Sequence, residues 1–155
     1  NGCTLNVCQT RPRSTGHLQL RSADPMDLPC IEPNYLSDPV DVECMAQATE
    51  FGRHIMSQAA LAGHILCEHV PAEPLRTPDD YRRFVRQHAH AALHPVGTCK
   101  MGTDDSAVVD SELRVHGIEG ARIAENSIAP SLCSSNTNAL AIMIGEKASD
   151  HIRRA

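Results

Sequence analysis

The period of the apolar positions changes along the chain, and each change marks an element. Over 3–10 and again over 17–21 apolar and polar residues alternate, the period of a strand. Between them Arg11-Pro12-Arg13-Ser14-Thr15-Gly16 supplies turn chemistry, so the pattern predicts a hairpin. The stretch from Asp24 to Pro33 is Pro-rich and reads as loop. Helical spacing begins at Val42 and runs through Met45, Ala46, Thr49, Gly52, Ile55, Met56 and Ala59. Ser37-Asp38-Pro39 precedes it, with Asp38 as N-cap and Pro39 at the first helical position. Thr77-Pro78-Asp79-Asp80 starts a second helix, whose apolar face is Tyr81, Phe84, Val85 and His88. Asp80 falls where a carboxylate is favoured by the helix N-terminus.

Between Val108 and Ile128 the strand period returns. Leu113-Arg114-Val115 and Arg122-Ile123-Ala124 flank a turn at His116-Gly117-Ile118-Glu119-Gly120. A last helix runs from about Asn138 to Arg153, with Leu140, Ile142, Met143, Ile144, Ala148 and Ile152 apolar. Gly145 inside it costs ~1 kcal/mol against alanine, and close packing on another backbone is the usual reason for such a residue. The alternation of strands and helices predicts an α+β fold.

With 155 residues the chain can bury a core as one domain. Only Tyr35, Phe51, Tyr81 and Phe84 are aromatic, and the net charge is -5. A nucleic-acid partner would call for a basic stripe interleaved with aromatics, so none is expected. Seven cysteines at irregular spacing, with no CxxC, argue against a disulfide framework and for a reduced, cytoplasmic setting. No apolar run approaches the ~20 residues of a membrane span, which leaves peripheral membrane attachment open. The chain starts at Asn1 and is strand-like within a few residues, so it reads as a piece of a longer protein.

Two segments carry residues that packing does not need. One is His94-Pro95-Val96-Gly97-Thr98-Cys99-Lys100-Met101-Gly102; the other is Ser135-Asn136-Thr137-Asn138-Ala139 at the start of the last helix. Pro95 biases His94 away from helix, and Gly97 and Gly102 permit close backbone approach. An imidazole on such a turn suits a general base, since its ordinary pKa near ~6.5 leaves it mostly neutral around pH 7–8. Asn136 offers a hydrogen-bonding amide, and a helix N-terminus behind it favours an anion. N-capping by Ser135, Asn136 or Thr137 is the simpler reading and is compatible with the functional one.

Other chemistry fits less well. His88, His90, His94 and Cys99 match neither HExxH nor a Cys/His finger, so no metal site is expected. Gly97 to Gly102 encloses four residues as in a phosphate loop, but Thr103-Asp104 follows where Lys-Ser/Thr is required. Cys99 has no base partner in sequence and reads as a buried, inert thiol.

The segment His94–Gly102 resembles the signature of the glucose–methanol–choline (GMC) flavoprotein oxidoreductases. The resemblance continues through Val108-Val109-Asp110, Leu113-Arg114-Val115-His116-Gly117, Glu119-Gly120 and Ser127-Ile128. It ends with Asn136-Thr137-Asn138-Ala139 and Ile142-Met143-Ile144-Gly145-Glu146-Lys147-Ala148. Leu5 to Leu20 and Ile31-Glu32-Pro33-Asn34-Tyr35-Leu36 are similar to the choline-dehydrogenase-like branch.

The resemblance implies an antiparallel substrate-domain sheet with packed helices, then a C-terminal segment and helix belonging to the FAD-binding domain. Residues 1–106 would be the substrate-binding region with the His motif, and 107–155 the return to the FAD domain. His94 would be the catalytic base, and Asn136 would hydrogen-bond the substrate oxygen. The alcohol proton would pass to His94 and a hydride to flavin N5. Glu125, Asn126, Thr137 and Asn138 would contact FAD. Here Glu125-Asn126-Ser127 stands where the family usually has Asp-Ala-Ser, Ser135 where it has Gly, and Leu140 where it has Pro. The expected partners are a small alcohol and an electron acceptor that the sequence does not choose among oxygen, quinone or another. A homo-oligomer is compatible with the sequence. The isolated stretch is expected to be inactive and to bind FAD weakly or not at all. The alternative reading is a small-ligand or partner-binding domain of the same fold that has lost catalysis.

Overall fold

Asp38 accepts a hydrogen bond from the Val40 amide at 2.8 Å, and Pro39 follows it into helix α1 (Pro39–Met56), as the sequence predicts. The computed structural model describes residues 2–154; Asn1 and Ala155 lie outside the described residues. Helices and a two-stranded antiparallel sheet make the architecture α+β. The chain forms two compact units. One joins residues up to 16 with 33–92; the other joins 17–32 with the chain from 93 onward.

In the first unit α1 is followed by a single-turn helix α2 (Ala59–Ala62), which the sequence pattern does not announce, and by α3 (Pro78–His88). Thr77 and Asp80 close a reciprocal capping box at the start of α3. The Thr77 amide and hydroxyl and the Arg76 amide hold the Asp80 carboxyl well below the usual carboxylate range. Val42 and Ala46 of α1 and Val85 of α3 are buried. Arg82 of α3 donates to Glu43 of α1 at 2.8 Å. Arg53 of α1 donates to the Tyr81 hydroxyl of α3 at 2.9 Å and forks onto Glu68. The predicted face of α3 thus divides. Val85 is buried, Tyr81 binds Arg53, and Phe84 stacks on His88 with ring centroids 4.4 Å apart.

The N-terminal segment departs from expectation. Residues 3–10 form no strand, and 17–21 does not pair with them. Two interactions with α1 replace the predicted hairpin. Leu5 and Val7, the apolar members of the alternation, lie 3.1 Å from where a Cβ would stand on Gly52, so a side chain there would make them shift. The Asp41 carboxylate, 1% exposed, accepts from the amides of Arg13 and Ser14, the Ser14 hydroxyl and the Gln9 amide. Burial pushes this carboxyl up, but the Ser14, Arg13 and Gln9 hydrogen bonds outweigh it and hold it at about 2.

In the second unit strand β1 (His17–Gln19) pairs antiparallel with β2 (Cys30–Glu32), with Leu18 opposite Ile31. The Pro-rich stretch expected to be loop therefore contains the partner strand. The region predicted as strands over 108–128 is reduced to single bridges: Met101 with Val109, Val109 with Val115, and Arg114 with Arg122. Gly117 and Gly120 take positive φ in the turn between Val115 and Arg122. Helix α4 (Asn138–Arg153) matches its predicted span. Its Ile144 and Ala148 close a core with Val109, Leu113 and Ile128, flanked by Met101, Val108, Val115, Ile123 and Leu140. Ile142, Met143 and Ile152 are exposed on α4, and a Cβ at Gly145 would meet no described atom within 4 Å.

Asp41→Asn tests the N-terminal anchor, because an amide sets donors against the Arg13 and Ser14 amides. Urea unfolding should show a loss of about 3 kcal/mol. The Asp41 pKa lies below its ordinary 3.8, so its contribution is complete above that value and lost as pH falls toward about 2. The roughly 2 kcal/mol that this linkage supplies should vanish from the acid limb of the variant. An unchanged acid limb would contradict the assignment.

Candidate active site

Ser127 fixes the loop that carries His94. Its carbonyl accepts from the amides of Gly97 at 3.0 Å and Cys99 at 3.1 Å, and the Ile128 carbonyl accepts from Met101 at 2.8 Å. Gly97 supplies the φ of +91° that the turn needs, with the Ala129 carbonyl at ordinary contact distance, 3.5 Å, from where a Cβ would be. Further along, Lys100 donates to Asp104 at 3.0 Å. Hydrogen bonds from the Ser106 hydroxyl, then from Lys100, hold the Asp104 carboxyl at about 2.

Ser127 is itself held by Glu125. The Glu125 carboxylate accepts from the Ser127 amide at 2.9 Å and from its hydroxyl, capping the 3-10 turn Asn126–Ile128. The side-chain oxygen of Asn126 is the one buried side-chain polar atom without a hydrogen-bond partner among the described residues.

His94 is half-buried, and both ring nitrogens meet the start of α4. Asn136 Nδ2 lies 2.9 Å from His94 Nε2, and Thr137 Oγ1 lies 3.0 Å from His94 Nδ1. Asn136 Oδ1 accepts from the Asn138 amide at 2.8 Å, so the same residue caps α4 and turns its NH2 toward His94. Nε2 is therefore the acceptor, with its lone pair toward Asn136 Nδ2. Thr137 is buried and Asn136 exposed, so the pair sits at the edge of the packed region. Ser135 keeps a negative φ and needs no glycine-like backbone.

Of the six residues the sequence singles out, His94, Asn136 and Thr137 are in direct contact, and Asn138 joins them through its amide. Glu125 and Asn126 belong to the turn beneath the His94 loop and connect to it through the Ser127 carbonyl. Sequence reasoning missed that carbonyl, and no side-chain pattern could report a backbone acceptor. Among the described residues no three His, Cys, Asp or Glu side chains group as metal ligands, and no helix is long and apolar enough to cross a membrane.

Comparison with known proteins places the chain in a family. The GMC oxidoreductase family model matches residues 12–145, and the chain belongs to that family. It is 43% identical over 153 residues, 99% of its length, to an alcohol dehydrogenase [acceptor] of Pseudomonas putida, of which it covers 28%. It is 44% identical over 153 residues to an oxygen-dependent choline dehydrogenase of Escherichia coli O45:K1, of which it covers 27%. The chain thus spans little more than a quarter of these relatives. Among solved structures, pyridoxine 4-oxidase from Mesorbium loti superposes with a TM-score of 0.86 at 29% identity, over 94% of this chain and 28% of that one. A formate oxidase from Aspergillus oryzae RIB40, solved in a study of FAD modification, gives 0.86 at 30% identity over 94% of this chain and 26% of that one.

Gly97→Ala tests how the His94 loop is held. A side chain at this φ costs about 1–2 kcal/mol. The variant should lower the urea midpoint accordingly, and wild-type stability would show that the loop tolerates a Cβ.

Proposed function

We propose that this chain is the C-terminal part of a flavin-dependent alcohol oxidoreductase of the choline-dehydrogenase-like branch, acting on a CH–OH donor. The observation that carries the reading is the His94–Asn136 contact, a base and an amide donor 2.9 Å apart at the start of α4. His94 Nε2, its lone pair released when Asn136 turns to the substrate, takes the hydroxyl proton of the alcohol. Asn136 Nδ2 binds the same substrate oxygen in place of Nε2. After the transfer Nε2–H and Nδ2–H both donate toward that oxygen, which stabilises its developing charge. Bound FAD would supply the acceptor for the hydride.

The residues present fit such a cofactor. The orphaned Asn126 oxygen offers a buried acceptor to an incoming hydroxyl or N–H donor. Asn138 stands exposed in the first turn of α4, where an electron-rich or anionic group is favoured. Asn126 and Asn138 are the stronger candidate contacts. Thr137 and Glu125 would use whatever capacity His94 and Ser127 leave. We assign residues 1–106 to the substrate-binding region and 107–155 to the return into the FAD-binding domain. The exposed Ile142, Met143 and Ile152 side of α4 would pack there. The intact His94–Asn136 geometry favours the enzyme over a lapsed binding domain. A cytoplasmic location belongs to the same proposal.

The test uses the full-length protein with choline and a series of primary alcohols, with either oxygen or an artificial dye as acceptor. His94→Ala should lower kcat by on the order of 10²–10⁴, the range of a general base. The 155-residue stretch expressed by itself should show no turnover. Unchanged turnover in His94→Ala would refute the catalytic assignment.

A further inference from the structure

The Thr137 side chain takes no part in capping α4, although its carbonyl accepts from the Ala141 amide at 2.9 Å. The residue occupies the N-cap position, yet its side chain makes no capping hydrogen bond, and Asn136 supplies the cap. The hydroxyl is instead directed to His94, across 43 residues of sequence, from a side chain only 3% exposed. A buried hydroxyl aimed at one ring nitrogen, beside an amide aimed at the other, constrains the ring chemically.

The constraint follows from donors and acceptors. Asn136 Oδ1 is taken by the Asn138 amide, so Nδ2 is a donor and His94 Nε2 must accept. A neutral imidazole carries one proton, which must then sit on Nδ1. The Nδ1–H group meets Thr137 Oγ1 at 3.0 Å, and that oxygen accepts. Without this acceptor the Nδ1–H would lose the Thr137 oxygen that holds it, and the proton could move to Nε2. The ring would then present N–H to the alcohol and could take no proton from it.

We propose that Thr137 is a positioning residue that, together with Asn136, holds His94 in the Nδ1–H tautomer and so keeps Nε2 unprotonated and able to accept the substrate proton. The role rests on the reading of His94 as general base and differs from the cofactor contact that the sequence suggests for Thr137. In this role Thr137 acts through the imidazole ring, to which its hydroxyl is directed.

The experiment uses the full-length protein, labelled with ¹⁵N-histidine, in mildly alkaline buffer. The His94 signals are those absent from His94→Gln. Their unprotonated-type nitrogen should couple to both Hδ2 and Hε1, which identifies it as Nε2. Assignment of that signal to Nδ1 overturns the proposal, whatever the activity. In Thr137→Val the two tautomers should mix. With choline and primary alcohols as probes, kcat should fall on the order of 10-fold while flavin absorbance per protein is retained. Thr137→Ser, which keeps the oxygen, should restore both the tautomer and kcat. Full kcat in Thr137→Val sinks the positioning role, while His94→Ala decides separately whether the base assignment stands. Flavin loss in Thr137→Val but not Thr137→Ser would also overturn it, by moving Thr137 to the cofactor site. If Thr137→Val does not fold, the wild-type tautomer and the serine variant still decide.

Discussion

The imidazole of His94 is gripped at both nitrogens by consecutive residues, and the arrangement of the second unit serves that grip. Two elements must meet for it to exist. The His94 loop is tied to the Ser127 and Ile128 carbonyls, and the start of α4 is seated by Ile144 and Ala148 in the core around Val109 and Ile128. Ile128 belongs to both, packing in that core while its carbonyl takes the Met101 amide. Displacing the 3-10 turn would therefore move the histidine and its partners together. Positioning through backbone hydrogen bonds and core contacts gives tighter control than loop side chains alone could.

Charge and hydrogen bonding divide the labour within this unit. Glu125 is turned onto Ser127, where it completes the turn supporting the loop. The carboxylate that the resemblance places near FAD thus has a structural task whether or not it also meets the cofactor. Asn126, which stands where the family usually has alanine, contributes the buried acceptor that lacks a partner. Leaving such a group unpaired costs about 1–3 kcal/mol, a cost that a bound donor would remove. Asn136 combines a cap and the contact to His94 in one amide, because its two ends have different hydrogen-bonding character.

How much of this was legible in the sequence depends on the range of the deciding interaction. The starts of α1 and α3 were readable because Asp38 with Pro39, and Thr77 with Asp80, settle them within a few residues. The span of α4 was readable from its period. The N-terminal segment was misread because alternation records which residues are apolar and not what they face. Leu5 and Val7 alternate toward helix α1, and a buried Asp41 takes the Arg13 and Ser14 amides of the expected turn. The true partner of β1 was hidden in a stretch whose prolines argued for loop. At the site, His94 and Asn136 were identifiable as chemistry and, through the resemblance, as a pair. The direction of the Thr137 hydroxyl was not, since it depends on a contact 43 residues away.

The central claim is that His94 and Asn136 act as one unit on one substrate oxygen. A double-mutant cycle in the full-length protein tests it most directly, with kcat/KM measured for His94→Ala, Asn136→Ala and the double variant. The account predicts strong non-additivity, with the double variant losing little more than His94→Ala alone. Losses that multiply independently would contradict it.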